Sequence, residues 1–192
     1  MLLLTNVAIL AGLLAFQSPS PGQFVPAPPL IPAPQTKLET FAARTGALLS
    51  TERYALSRFS GENSCSIRFQ VVIMYEIGQE AQRLGGLRVE ITPSANKEPI
   101  ASYIDLDELP TLSRAIDSML ALNQKGTAFT NPASRELSFS SAGGLRLAMV
   151  QRDTQKEFVV SHMYSGSSCV VNRDTSVIEL KAAIDKVLED LR

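Results

Sequence analysis

The chain has 192 residues, with 18 Lys and Arg against 19 Asp and Glu and a formal net charge of −1. Its charges are well mixed in sign, so the composition supplies no basic field for nucleic acid and no polybasic strip for anionic lipid. One His and two Cys exclude zinc sites built on several histidines, and the absence of Trp weighs against a carbohydrate-stacking platform.

The first charged side chain is Lys37. Val7 to Phe16 is an unbroken apolar run of the length of a signal-peptide h-region. As a helix, Met1 to Phe16 would span about 24 Å against a hydrocarbon core of roughly 30 Å, which is short for a transmembrane anchor. A signal peptide also fits imperfectly: Met1 to Asn6 holds no Lys or Arg, Pro21 follows the small Ser20, and Ala15-Phe16-Gln17 ends on a large residue. Residues 1–17 are therefore read as a signal peptide or an uncleaved N-terminal anchor. Both readings place the protein outside the cytoplasm, whether periplasmic, secreted or membrane-tethered. Membrane contact is expected only through this segment, if it is uncleaved.

Residues 18–36 read as a linker. Seven of the 11 prolines fall between Pro19 and Pro34, and such a run favours extended polyproline II, a semi-rigid spacer of about 3.1 Å per residue. The same run would suit an SH3 or WW groove, but those partners are mainly intracellular and the spacer is preferred. Residues 37–192 are expected to form a single α+β domain.

Within that domain Leu48 to Phe59 is assigned as a strand, although its apolar positions fit neither period. Cys65 to Ile77 alternates cleanly, with Ile67, Phe69, Val71, Ile73 and Tyr75 on one side, and Leu87 to Thr92 alternates too. A helix starting near Asp107 presents Leu109, Leu112, Ile116, Met119 and Leu120, tolerates Pro110 in its first turn, and stops at Asn123 to Gly126. Arg135–Ser140, Leu145–Arg152 and Glu157–Tyr164 follow as strands, joined by turns at Ser141-Ala142-Gly143-Gly144 and Asp153-Thr154-Gln155-Lys156. Ser176 forms a capping box with Glu179 and opens a last helix carrying Val177, Leu180, Ile184, Val187 and Leu188.

The order is thus β-β-β-α twice, which predicts a largely antiparallel sheet of about six strands with two amphipathic helices on one face. The helices align without a gap, Leu112 with Leu180 and Ala115-Ile116-Asp117 with Ala183-Ile184-Asp185. A β3α duplication explains this, and so does the apolar spacing shared by any two amphipathic helices. Gly85-Gly86-Leu87-Arg88 also echoes Gly143-Gly144-Leu145-Arg146, but at a spacing that conflicts with the helix alignment.

Cys65 and Cys169 form an even pair in an exported chain, each preceded by a Ser-Gly turn, and are expected to form a disulfide between the start of the first long strand and the approach to the last helix. His162 is the sole histidine, sits in a strand, and lacks a Gly-x-Ser-x-Gly elbow to serve. Asp105, Asp107 and Glu108 are the densest acidic cluster. Such oxygens suit Ca²⁺ or paired-carboxylate hydrolysis, but their place at a helix start also suits capping, and their spacing is not that of an EF-hand. Neither dinucleotide nor P-loop glycine patterns occur, and no cofactor or metal is implied. The expected function is a non-enzymatic, exported binding or scaffolding domain for a protein or small ligand, without nucleic acid. The alternative is an atypical extracytoplasmic hydrolase using Asp105, Asp107 and Glu108, with His162.

Overall fold

The computed structural model describes residues 36–123, 134–152, 155–171 and 174–191. The signal or anchor segment at 1–17 and the linker up to residue 35 lie outside them, as do residues 153–154 of the second expected turn. A short helix α1 (Lys37–Ala42) precedes β1 (Leu49–Ser60), β2 (Ser66–Glu76), β3 (Leu84–Thr92) and β4 (Ile100–Asp105), and α2 (Leu109–Leu120) follows. The second half repeats this order with β5 (Ser134–Ser140), β6 (Leu145–Arg152), β7 (Gln155–His162), β8 (Ser167–Val171) and α3 (Asp174–Asp190). Each set of four strands pairs in sequence order as its own antiparallel sheet.

The antiparallel α+β class is as expected, but the single sheet of about six strands becomes two four-stranded sheets, and each half is β4α where β3α was expected. The helices do not share one sheet face. Instead α2 packs against α3, α2 also reaches β5, and α3 reaches β1. One core results, in which Leu112, Ile116, Leu180 and Ile184 meet Phe69, Leu87 and Val89 of the first sheet and Leu147, Phe158 and Val160 of the second. Each stripe is thereby covered by the opposite half of the chain, and the two halves cannot separate without exposing it. α2 ends in a 3-10 turn at Ala121–Asn123, and residues 124–126 of the expected stop lie outside the described residues. α3 begins at Asp174, so Ser176 lies inside its first turn and is not the N-cap.

A polar clasp sits over the helix pair. Ser113 donates to Asp185 Oδ1 at 2.7 Å, while Lys181 pairs with Asp185 and lies 3.3 Å from Asp117. The Lys181 ammonium, helped by the Ser113 hydroxyl, holds the Asp185 carboxyl below its ordinary value. A depressed folded value contributes stability above the unfolded carboxylate range and loses it as pH falls through the folded value. Asp185 is 43% exposed, which limits the effect to a few tenths of a kcal/mol. Urea titrations at about pH 5 and about pH 2.5 should therefore show a smaller acid loss of stability in Asp185→Asn than in the wild type.

The two halves share the same order of elements, and their cross-strand registers can be set side by side. Ser57, Phe69, Val89 and Ser102 form one row across the first sheet, and Phe139, Leu147, Val160 and Cys169 form its counterpart across the second. In each half the first hairpin turn docks on the fourth strand of the other half, through a glycine. A Cβ on Gly61 would lie 2.2 Å from the Val170 carbonyl oxygen, and one on Gly143 would lie 2.5 Å from that of Tyr103. Only glycine permits so close a backbone approach. The docked turns are then fixed in two ways. Cys65 joins Cys169 in a disulfide with a Cα separation of 5.6 Å, and Ser102 donates to the Gly143 carbonyl at 2.8 Å.

Candidate functional site

α1 lies on the outer face of the first sheet, where Leu38 and Phe41 cover Val72 and Met74. A six-residue helix has little intrinsic stability, so its position rests on these contacts and on how its first amides are satisfied. Thr36 caps it in a capping box with Glu39. The Asp105 carboxylate accepts from the Lys37 amide at 2.7 Å and the Leu38 amide at 3.1 Å. Asp107 pairs with the Lys37 ammonium at 2.8 Å. Glu108 accepts from the Asp105 amide at 3.1 Å and, through its other oxygen, from the Ala142 amide at 2.9 Å.

The acidic cluster therefore does cap a helix, but not the one beside it. α2 has Glu108 at its N-cap position with no side-chain cap bond, whereas Asp105 caps α1, which is distant in sequence. Hydrogen bonding from Lys37 holds Asp107 below the ordinary carboxylate value and raises Lys37 in return. All three carboxylates are thus committed to ties among α1, β4, α2 and the β5–β6 turn. Among the described residues no group of three or more His, Cys, Asp or Glu is placed to hold a metal ion.

His162 ends β7. Its Nδ1 lies 3.0 Å from Ser165 Oγ and accepts from the Ser165 amide at 3.3 Å, and its ring meets Tyr164 edge-on at 5.6 Å. With Nδ1 accepting, the ring proton of the neutral form belongs on Nε2. Partial burial lowers the imidazole pKa, opposed by the charge of Glu39. A hydroxyl beside an imidazole is the beginning of a nucleophile and base pair. Here, however, Ser165 Oγ also accepts from the Ser167 amide at 3.3 Å, so both side chains close the same exposed β7–β8 turn. Ser165 entered the sequence reading only as context for Cys169, because a three-residue separation within a turn carries no recognisable motif.

Cys65 and Cys169 are 4% and 1% exposed, buried in the common core. Cys65 stands just before β2, as expected, but Cys169 lies within β8 and not at the approach to the last helix. Asn63 and Ser64, with φ of 52° and 61°, precede the bridge in left-handed conformations that ordinary side chains disfavour.

Three concave surfaces among the described residues are open grooves. One beside α1, of about 230 Å³, is lined by Phe41, Arg44, Glu76, Gln79, Gln82, Arg83 and Leu84, with the Arg44 guanidinium stacked 4.4 Å from the Phe41 ring centroid. A second, of about 300 Å³, lies across Arg83 and Leu84 and reaches Lys37, Asp105 and Asp107. A third, of about 390 Å³, runs between α2 and α3 past Ser113, Arg114 and Asp185. Enclosing a small substrate requires a deep cavity of some 300 to 1,000 Å³ with convergent polar groups. Shallow grooves beside helices suit a partner's side chains better. No protein-family model matches the chain, and no curated protein matches it either.

Proposed function

We propose that this is an extracytoplasmic domain that binds or scaffolds another molecule and does not transform it. The observation that carries the reading is the use made of Asp105, Asp107 and Glu108: their oxygens hold α1 and the β5–β6 turn in place. General acid–base work needs a carboxyl free to reach a substrate, and these reach amides and an ammonium of the fold. The buried disulfide supports an oxidising compartment. The open grooves beside α1 support recognition of a partner.

Cross-linking of the exported protein, followed by mass spectrometry, should recover a discrete partner, and protein isolated without reductant should show no free thiol. Two titratable thiols would overturn the compartment. Turnover of any hydrolase substrate that disappears in a folded D105N, D107N, E108Q variant would overturn the non-enzymatic reading and restore the acidic cluster as catalytic.

A further inference from the structure

The two sheets have their edges at β1, β4, β5 and β8. β4 and β8 each receive a turn from the opposite half, through Gly143 and Gly61. Of the other two, β1 is the longer, 12 residues against seven in β5. Among the described residues no backbone hydrogen bond reaches β1 on its outer side. The phase of its ladder follows from where it begins: the Ile77 amide donates to the Leu48 carbonyl at 2.9 Å. Leu48, Ser50, Glu52 and Tyr54 therefore turn their peptide groups to β2, while Leu49, Thr51, Arg53 and Ala55 turn theirs outward. Such a row is a template for another strand, usually blunted by Lys, Pro or a bulge. Here Leu49 to Ala55 contains neither Lys nor Pro, and the bulge lies beyond it, between Ala55 and Ser57.

We propose that a second copy of this chain fills the edge, its β1 running antiparallel to the first about a two-fold axis at Thr51. The side chains select that occupant and its register. Outward residues must face outward residues, which leaves few positions for the axis. An axis at Glu52 would set that carboxylate against its own copy, and one at Arg53 would do the same with two guanidinium groups. An axis at Tyr54 runs into the bulge, and one at Ser50 leaves Tyr54 beyond the paired strand. With the axis at Thr51, Leu49 faces Arg53 of the second copy, Ser50 faces Glu52, and Leu48 faces Tyr54. No like charges meet. Leu48 and Tyr54, 71% and 52% exposed in the single chain, then cover each other on both sides of the axis. Arg53 forms no ion pair among the described residues. Across the axis its stem lies over Leu49, in the row that continues to Glu76 of the second copy. The two first sheets join into one. The inference goes beyond the proposed binding role and does not depend on it.

Sedimentation equilibrium of the full chain should show a dimer that dissociates on dilution. Thr51 is exposed and its amide points outward, so Thr51→Pro leaves the ladder to β2 intact. It deletes both hydrogen bonds at the axis and should weaken dimerisation about 30-fold, at about fivefold for each bond. Ser138 holds the matching outward position on β5, because the Ser141 amide donates to the Leu145 carbonyl, and Ser138→Pro should change nothing. Thr51→Cys keeps the amide and reports the register. Residues that exchange both hydrogen bonds have Cα atoms about 5.5 Å apart, within disulfide reach, so mild oxidation should link two copies covalently, whereas Ser138→Cys should stay unlinked. Cys65 and Cys169 are already bonded and buried, so they do not compete. A monomer at every concentration, undiminished association in Thr51→Pro, an equal loss in Ser138→Pro, or no cross-link in Thr51→Cys would each overturn the inference. Association through the apolar run Val7 to Phe16 would show itself by surviving Thr51→Pro.

Discussion

Replacing Cys65 and Cys169 together by alanine is expected to lower the unfolding free energy by about 4 kcal/mol. The bridge spans a sequence separation of 104, so in the denatured chain it closes a loop comprising most of the domain. Loop-closure entropy grows with the logarithm of loop length, which makes this a favourable case for stabilisation through the unfolded state. The second half of the chain supplies a comparison. The Ser102 hydroxyl bond to Gly143 does the same docking job in the other half without a covalent tie, and Ser102→Ala should cost only about 1 kcal/mol. Urea unfolding measures both. The cysteine variant should also show a steeper denaturant dependence, because its unfolded chain exposes more surface. A loss below about 1 kcal/mol, or identical midpoints with and without reductant, would mean that the core alone sets stability.

Register explains what was legible in the amino-acid order. Cys65 to Ile77 was readable because Ile67, Phe69 and Val71 keep one parity toward the main core, although further along the strand the buried residues are Val72 and Met74, on the other face beneath α1. Leu48 to Phe59 fitted neither period because a bulge between Ala55 and Ser57 reverses which parity faces inward: Glu52 and Tyr54 before it, Ser57 and Phe59 after it. β4 was missed for a different reason. Its inward positions include Ser102, buried because it donates to Gly143, and its end is the buried Asp105, so polar residues occupy places where apolar ones announce a strand. β8 opens on Ser167-Ser168 and read as a turn. The helix alignment of Leu112 with Leu180 agrees with the repeated order of elements, whereas the glycine echo does not. Gly85 and Gly86 lie in β3, while Gly143 and Gly144 lie in a turn, and the glycine that plays the part of Gly143 in the first half is Gly61. The cluster at Asp105, Asp107 and Glu108 was visible as a helix cap, but the helix that Asp105 caps comes from the other end of the first sheet's sequence. A tie between distant segments leaves no local trace.

Asp105→Ala is expected to destabilise the protein by about 3 kcal/mol and to release α1 before the rest of the domain unfolds. Asp105 is 7% exposed, and its carboxylate satisfies the first two amides of α1. Removing it strands the Leu38 amide in a buried site and the Lys37 amide in a part-buried one, and loses two charge-assisted hydrogen bonds. The helix has few other holds. Leu38 is fully buried against the backbone at Gly86, where an added Cβ would lie 2.7 Å from its Cδ1, so the anchor depends on a small misalignment being avoided. Asp105→Asn keeps one acceptor oxygen and should lose about half as much. Hydrogen exchange is the discriminating measurement. In Asp105→Ala the amides of Lys37 to Ala42 should exchange by local opening, while those of β2 and β6 keep protection in proportion to the global stability. Uniform loss of protection across α1 and both sheets would show that α1 belongs to the cooperative core. Unchanged protection in α1 would show that Thr36 and the burial of Leu38 and Phe41 hold the helix without the carboxylate.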